Sequence, residues 1–276
     1  MSGSAIPVAD VSASTSLYYT PYGGNIVRLY NSTDSAWNYY PFTELEYPLT
    51  DDQTCGTVSG DATLSVADSS LLIVGMEISG TNIAAGTTIA SITSASSIEM
   101  SANATGDGVQ TNTFKVPSST VIDFFITLDS GSVVFRRAVT WTNLTTRATP
   151  LTTLDGVYVL TGDTDSIYLG TIYISPAGAF VDTKKYRYVW NYYNRVSRQL
   201  TSNEASASWT YNAASWRSIN NDTSNSLYFI IGLSEDPVKA THLGRIGTGG
   251  NDSGGIGVGL DSVTALSSDS SFPCRS

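Results

Sequence analysis

The chain has 276 residues, 14 Lys and Arg against 24 Asp and Glu, and a net charge of −10. That length buries a self-sufficient core without disulfides or metals, and the acidic balance excludes nucleic acid as a partner, because phosphate binding needs clustered Lys and Arg. Charged residues are only 14% of the chain, against a usual share of about 25%, so Ser, Thr, Asn and Gly supply the polar surface, as in strands and turns.

The first residues, Met1 to Pro7, have neither a positive n-region nor an apolar h-region, which predicts no secretory signal and synthesis in a cytoplasm. No apolar run approaches the roughly 18 residues of a spanning helix, so no membrane association is expected. Helix patterns are nearly missing and strand patterns recur throughout. Gly24 to Tyr30, an Asn-Ser-Thr-Asp cluster and Ala36 to Tyr40 read as a hairpin. Glu44 and Glu46 share one strand face, and Asp51-Asp52 reads as a turn.

From Thr57 to Thr113 there is no aromatic residue, no Lys or Arg and no proline. A segment of that kind must build its core from Val, Ile, Leu and Ala. It reads as a small β-barrel or sandwich module, residues 54–114, inserted into a host formed by residues 1–53 and 115–276. Its strands are expected over Ala62 to Val66, Met76 to Ser79, Thr87 to Ile92 and Ser97 to Met100, with its two ends close together.

Beyond it, Val133 to Trp141 reads as a strand with one wet face. Gly156 to Leu160, a turn over Thr161 to Ser166, and Ile167 to Ile174 read as a second hairpin. Tyr186 to Tyr193 and Trp209 to Trp216 read as further strands, and Ser226 to Leu233 as a central strand buried on both faces. Gly244 to Gly257 reads as a loop, followed by a last strand around Val258 to Val263. Together these predict an all-β fold, a jelly-roll-like antiparallel β-sandwich carrying the small inserted module.

Candidate chemistry is sparse. His242 is the only histidine, and no Gly-x-Ser-x-Gly nucleophile elbow accompanies it. The carboxylates Glu44, Glu46, Asp51, Asp52, Asp163 and Asp165 sit where turns and strand faces place such groups, and Asp163 with Asp165 lacks the oxygen count calcium wants. No catalytic, cofactor-binding or metal-ligating residue is assigned, and no enzyme is expected. Cys55 and Cys274 are the only cysteines, and their spacing leaves a bridge open. Tyr186, Tyr188, Trp190 and Tyr192 fall at i, i+2, i+4 and i+6, hence on one sheet face. Covered, that row is core; exposed, it is a stacking platform for sugar rings. Arg187, Arg195 and Arg198 then fall on the opposite face or beyond it, as interface residues toward an acidic neighbour.

Val74 to Ile89 resembles a small β-module that recurs in structural proteins of tailed bacteriophages. The host resembles a virion surface protein type of tailed phages, seen in head decoration and in tail or collar fibres. That likeness rests on Tyr22-Gly23-Gly24-Asn25 to Tyr30, Thr146-Arg147, Asp155 to Val159, Tyr168 to Ile172 and Val189 to Arg195. The resemblance implies a virion structural protein made in the bacterial host cytoplasm and sited on the virion surface. Capsid decoration or cement by protein–protein adhesion comes first, and a tail or collar fibre subunit binding a host receptor or glycan second. It also implies self-association as a homotrimer and partners among the major capsid protein or the neck and tail proteins. No coiled-coil heptads or repeated segments indicate a long fibre shaft.

Overall fold

A computed structural model describes residues 10–195, 197–206, 208–210, 215–234, 239 and 257–259. The first strands are β1 (Val11–Ser14), β2 (Ser16–Tyr19), β3 (Ile26–Asn31), β4 (Ala36–Pro41), β5 (Leu45–Pro48) and β6 (Thr50–Thr57). Next come β7 (Thr63–Ser65), β8 (Glu77–Gly80), β9 (Ile89–Ser94), β10 (Ser97–Met100) and β11 (Gly108–Lys115). Then follow β12 (Val121–Asp129), β13 (Ser132–Asn143), β14 (Thr146–Arg147), β15 (Leu151–Leu154), β16 (Val157–Leu160) and β17 (Asp163–Tyr173). The last are β18 (Phe180–Asp182), β19 (Tyr186–Arg187), β20 (Val189–Asn191) and β21 (Tyr228–Phe229). Among the described residues the only helical pieces are two short 3₁₀ turns, Ile219–Asn221 and Thr223–Asn225. The fold is an all-β sandwich of antiparallel sheets, curled into a half-barrel.

The central sheet runs β14-β13-β12-β17-β16-β15, with β20 also pairing β17. It has a core on each face. On one face Phe124, Phe135, Ile122, Ile126, Leu169 and Ile172 join the ribbons β2–β5 and β3–β4 and the inserted sheet in a single hydrophobic cluster. On the other, Phe125, Tyr168 and Trp190 form a smaller cluster, lapped by Leu151, Tyr158, Tyr192, Ile230 and Leu233. That double burial is why β12 reads Val-Ile-Asp-Phe-Phe-Ile without a polar face: Phe124 and Phe125, as neighbours along the strand, point to opposite sides of the sheet and each enters a core.

The inserted sheet runs β8-β11-β6-β7-β10-β9. Its two chain crossings lie side by side: β6 and β11 pair without a break from Thr50↔Lys115 to Thr57↔Gly108, so the chain leaves and returns at one place. The boundaries at 53/54 and 114/115 therefore fall inside paired strands, not in linkers. Leu64, Ile78, Ile89, Ile98 and Met100 fill the core, joined by the buried free thiol of Cys55. Cys274 and His242 lie outside the described residues, as do residues 244–256 of the stretch expected to form a loop.

Several expected elements differ. The second hairpin turns at Thr161-Gly162, where Gly162 takes φ 87° and Leu160 pairs with Asp163. Asp163 to Ser166 therefore belong to β17, and Asp51-Asp52 belongs to β6. The apolar run Ser226 to Leu233 gives only the two-residue edge strand β21, parallel to β19. Ile230 and Leu233 cap the second core as irregular chain instead, because β17 and β12 already occupy the sheet centre. No strand forms among the described residues of Trp209 to Trp216, whose two end tryptophans are each partly exposed, nor at Gly257 to Gly259.

Candidate interaction surface

The aromatic row is divided between two sheets. Tyr186 lies on β19 in the sheet β1-β18-β19-β21, whereas Trp190 lies on β20 against β17. The single strand expected over Tyr186 to Tyr193 is thus broken at Tyr188, where the chain passes from one sheet to the other. Trp190 is 8% exposed and rests 6.2 Å from the ring of Tyr168, with Tyr192 at 6.1 Å beside it. This half of the row is core. The other half is half-buried: Tyr186 stacks on the exposed Tyr228 at 5.4 Å and 20°, while Tyr188 meets Tyr186 at 5.6 Å and Tyr173 edge-on at 4.8 Å. The Lys185 ammonium lies 5.7 Å from the Tyr186 ring centre. Burial, and then the neighbouring phenols Tyr173, Tyr186 and Tyr228, push Tyr188 up to about 12.

The arginines are engaged within the chain. Arg187 Nη1 donates to Asp182 Oδ1 at 3.1 Å and Arg198 Nη2 to Asp182 Oδ2 at 2.5 Å, around a carboxylate 6% exposed. Arg187 also donates twice to the Gln199 carbonyl. These two guanidiniums hold the segment after β20 against β18 and supply the counter-charge that a buried carboxylate requires. Arg195 lies over the rings of Tyr192 (4.5 Å) and Trp190 (5.4 Å).

Sequence reasoning passed over a second cluster. Asp123, 1% exposed on β12, accepts from Arg147 Nε at 2.7 Å and from Thr171 Oγ1 at 2.6 Å. Arg147 also donates to the Gly232 carbonyl and stacks over Trp141 at 4.5 Å, and Tyr168 Oη shares a hydrogen bond with Thr171. Burial pushes the Asp123 carboxyl above its ordinary range, while the hydrogen bond and charge of Arg147 and the bond from Thr171 pull it back. Thr146-Arg147 carried part of the resemblance, but nothing in the pattern linked Arg147 to Asp123. Gly232 closes the cluster. A Cβ there would stand 2.5 Å from Thr171 Oγ1 and 2.5 Å from Trp190 Cε3, and closer still to Tyr168 Oη. Gly232→Ala is therefore expected to destabilise the protein by about 1–3 kcal/mol through overpacking, read as a lowered urea midpoint.

The buried acids predict an alkaline limit. Burial first, then Asp51, pushes the Cys55 thiol from 9.0 up to about 11, and burial raises Tyr47 and Tyr168 as well as Tyr188. Each folded value lies above the unfolded one, so the unfolded chain releases these protons first. Their stabilising contribution is complete below pH 9 and falls away as pH rises through 11 and 12. Urea midpoints taken at pH 8 and at intervals up to pH 11 should fall progressively; a flat profile would refute the assignment.

The remaining carboxylates are used locally. Asp163 pairs with Arg136 at 2.9 Å and accepts from Ser166. Asp165 accepts from the Ser32 amide and hydroxyl, tying β17 to the β3–β4 turn. Glu44 and Glu46 accept from Thr20 and Tyr18. Among the described residues no group of three or more His, Cys, Asp and Glu converges as a metal site would require, and no helix is long and apolar enough to cross a membrane. Exposed rings are the other feature of the surface. Besides the tyrosine group, the β3–β4 ribbon presents Tyr39 at 73% exposure and Ile26 at 64%, preceded by Tyr22 at 94%. No family model, no curated protein and no solved structure matches this chain.

Proposed function

We propose that the chain is a virion structural protein of a tailed phage, a capsid decoration or cement protein that acts by protein–protein adhesion. The observation that carries this reading is the exposed aromatic surface of an otherwise well-buried all-β scaffold. Tyr22, Tyr39, Tyr228, Ile26, Trp209 and Trp216 stay partly or largely in solvent although the core is filled by other rings. Aromatic anchors of this kind supply most of the energy at protein interfaces, with hydrogen-bonding Ser, Thr and Asn around them. The order of the sequence motifs that resemble phage virion proteins supports the same reading. Its partners are then the major capsid protein, or neck and tail proteins, and further copies of itself as a trimer.

Gold-labelled antibody imaging of intact particles tests it. Dense label over the head is expected, and particles without label would remove the virion role. Label confined to the neck or tail would favour the second reading, a fibre subunit that binds a host glycan. One observation favours that alternative: Tyr186 and Tyr228 form an offset pair on the surface, the shape on which a sugar ring stacks. Glycan-array binding lost in Tyr228→Ala would then be the result, whereas Trp190 is too buried for its replacement to report on binding.

A further inference from the structure

The β3–β4 ribbon has two unlike faces. Leu29 points into the main core with Val27 and Tyr40 beside it. The alternate residues pair across the ribbon as Ile26↔Pro41, Arg28↔Tyr39 and Tyr30↔Trp37. Ile26, Arg28, Tyr39 and Pro41 are exposed, and Tyr30 and Trp37 flank them edge to face at 5.4 Å. Trp37 is rooted by its Nε1 donating to Asp155 at 2.8 Å. An exposed patch of Ile, Tyr, Pro and Arg, backed by a Trp that also packs on the main core, has the composition of an interface hot spot, not of a solvated sheet face.

Charge identifies what covers it. The Arg28 guanidinium lies 4.8 Å from the Trp37 ring centre, and no carboxylate among the described residues reaches it, whereas Arg136, Arg147, Arg187 and Arg198 all pair internally. The neighbouring β2–β5 ribbon has the opposite deficiency. Glu44 and Glu46 are exposed, and among the described residues they receive hydroxyl donors, Thr20 at 2.6 Å and Tyr18 at 3.2 Å, and no cation. A cation without an anion and two anions without a cation, on adjacent ribbons of one chain, complement each other between copies.

We propose that the outer face of the β3–β4 ribbon packs on the acidic β2–β5 edge of a second copy of this chain, with Arg28 of one copy meeting Glu44 and Glu46 of the next. The contact is head-to-tail, which generates a ring where the rotation closes and an open filament where it does not. It rests on the multicopy structural reading above and names the surface through which copies meet.

Sedimentation of the full-length purified protein over a range of concentrations tests it without particles, so its outcome is separate from where the label falls on a virion. Wild type should self-associate, and Arg28→Glu and Tyr39→Ala should each weaken association about tenfold or more, as expected at a hot spot. Both positions are exposed, and circular dichroism verifies that the variants are folded. Tyr39→Ala carries the test alone if Arg28→Glu does not fold. Arg28→Glu combined with Glu44→Arg and Glu46→Arg should bring association back to within about threefold of wild type. A wild type that stays monomeric, single variants that associate as wild type does, or a charge exchange that restores nothing would each overturn the proposal.

Discussion

Replacing Arg147 with alanine is expected to destabilise the protein by about 3–5 kcal/mol, because it leaves the Asp123 carboxylate buried without its counter-charge. Asp123 is 1% exposed, and its two strong donors are Arg147 and Thr171. The same substitution frees the Gly232 carbonyl and removes the guanidinium from the face of Trp141. The loss should appear as a large drop in the urea midpoint. The double variant Asp123→Leu with Arg147→Met should recover most of it, since an apolar pair of similar volume can replace a buried ion pair at little cost. A single variant that melts within about 0.5 kcal/mol of wild type, as ordinary surface changes do, would show that the pair is not the support described.

Tyr47→Ala is the second large effect, at about 3–5 kcal/mol for removing a fully buried ring. Tyr47 sits on β5 with its ring edge-on to Phe124 at 5.0 Å and to Phe135 at 6.0 Å. Its hydroxyl donates to the Leu71 carbonyl of the inserted module at 2.9 Å. One side chain thus packs the central sheet and ties the module to it. Tyr47→Phe keeps the ring contacts and loses the hydrogen bond, and should lower stability by about 1 kcal/mol. Equal losses in the two variants would mean that the packing assigned to the ring is wrong.

Short-range patterns in the sequence carried far, and the failures have one cause. The β3–β4 hairpin was legible because Asn31 and its Ser-Thr-Asp neighbours make turn bonds of their own, Asn31 Oδ1 accepting from the Thr33 amide at 2.9 Å. The strands expected at Ala62 to Val66, Met76 to Ser79, Thr87 to Ile92 and Ser97 to Met100 were legible because β-branched residues alternate there between turn residues, and β7, β8, β9 and β10 form at those places. Ser226 to Leu233 was not, because an apolar run is the same whether its residues enter a sheet centre or cap a core as irregular chain. The row Tyr186 to Tyr192 was half legible: alternation put the rings on one side, but the break at Tyr188 is imposed by partners far along the chain, β17 for one half and β18 with β21 for the other. The pairing of Arg187 and Arg198 with Asp182 was not legible either, since Asp182 meets them only through the fold. Arg28 differs in that its lack of a carboxylate among the described residues follows from many long-range placements and cannot be read from any window of sequence.

The aromatic-free module has a practical consequence in optics. Every tryptophan and tyrosine of this chain lies outside residues 57–113, so emission and near-ultraviolet dichroism watch the host alone, while the amide bands watch both parts. The two signals form a built-in pair of separate cameras on one molecule. Because a single hydrophobic cluster runs from one part into the other, the two melting curves should superimpose; loosening the junction at Tyr47 should pull them apart, with the amide curve moving first.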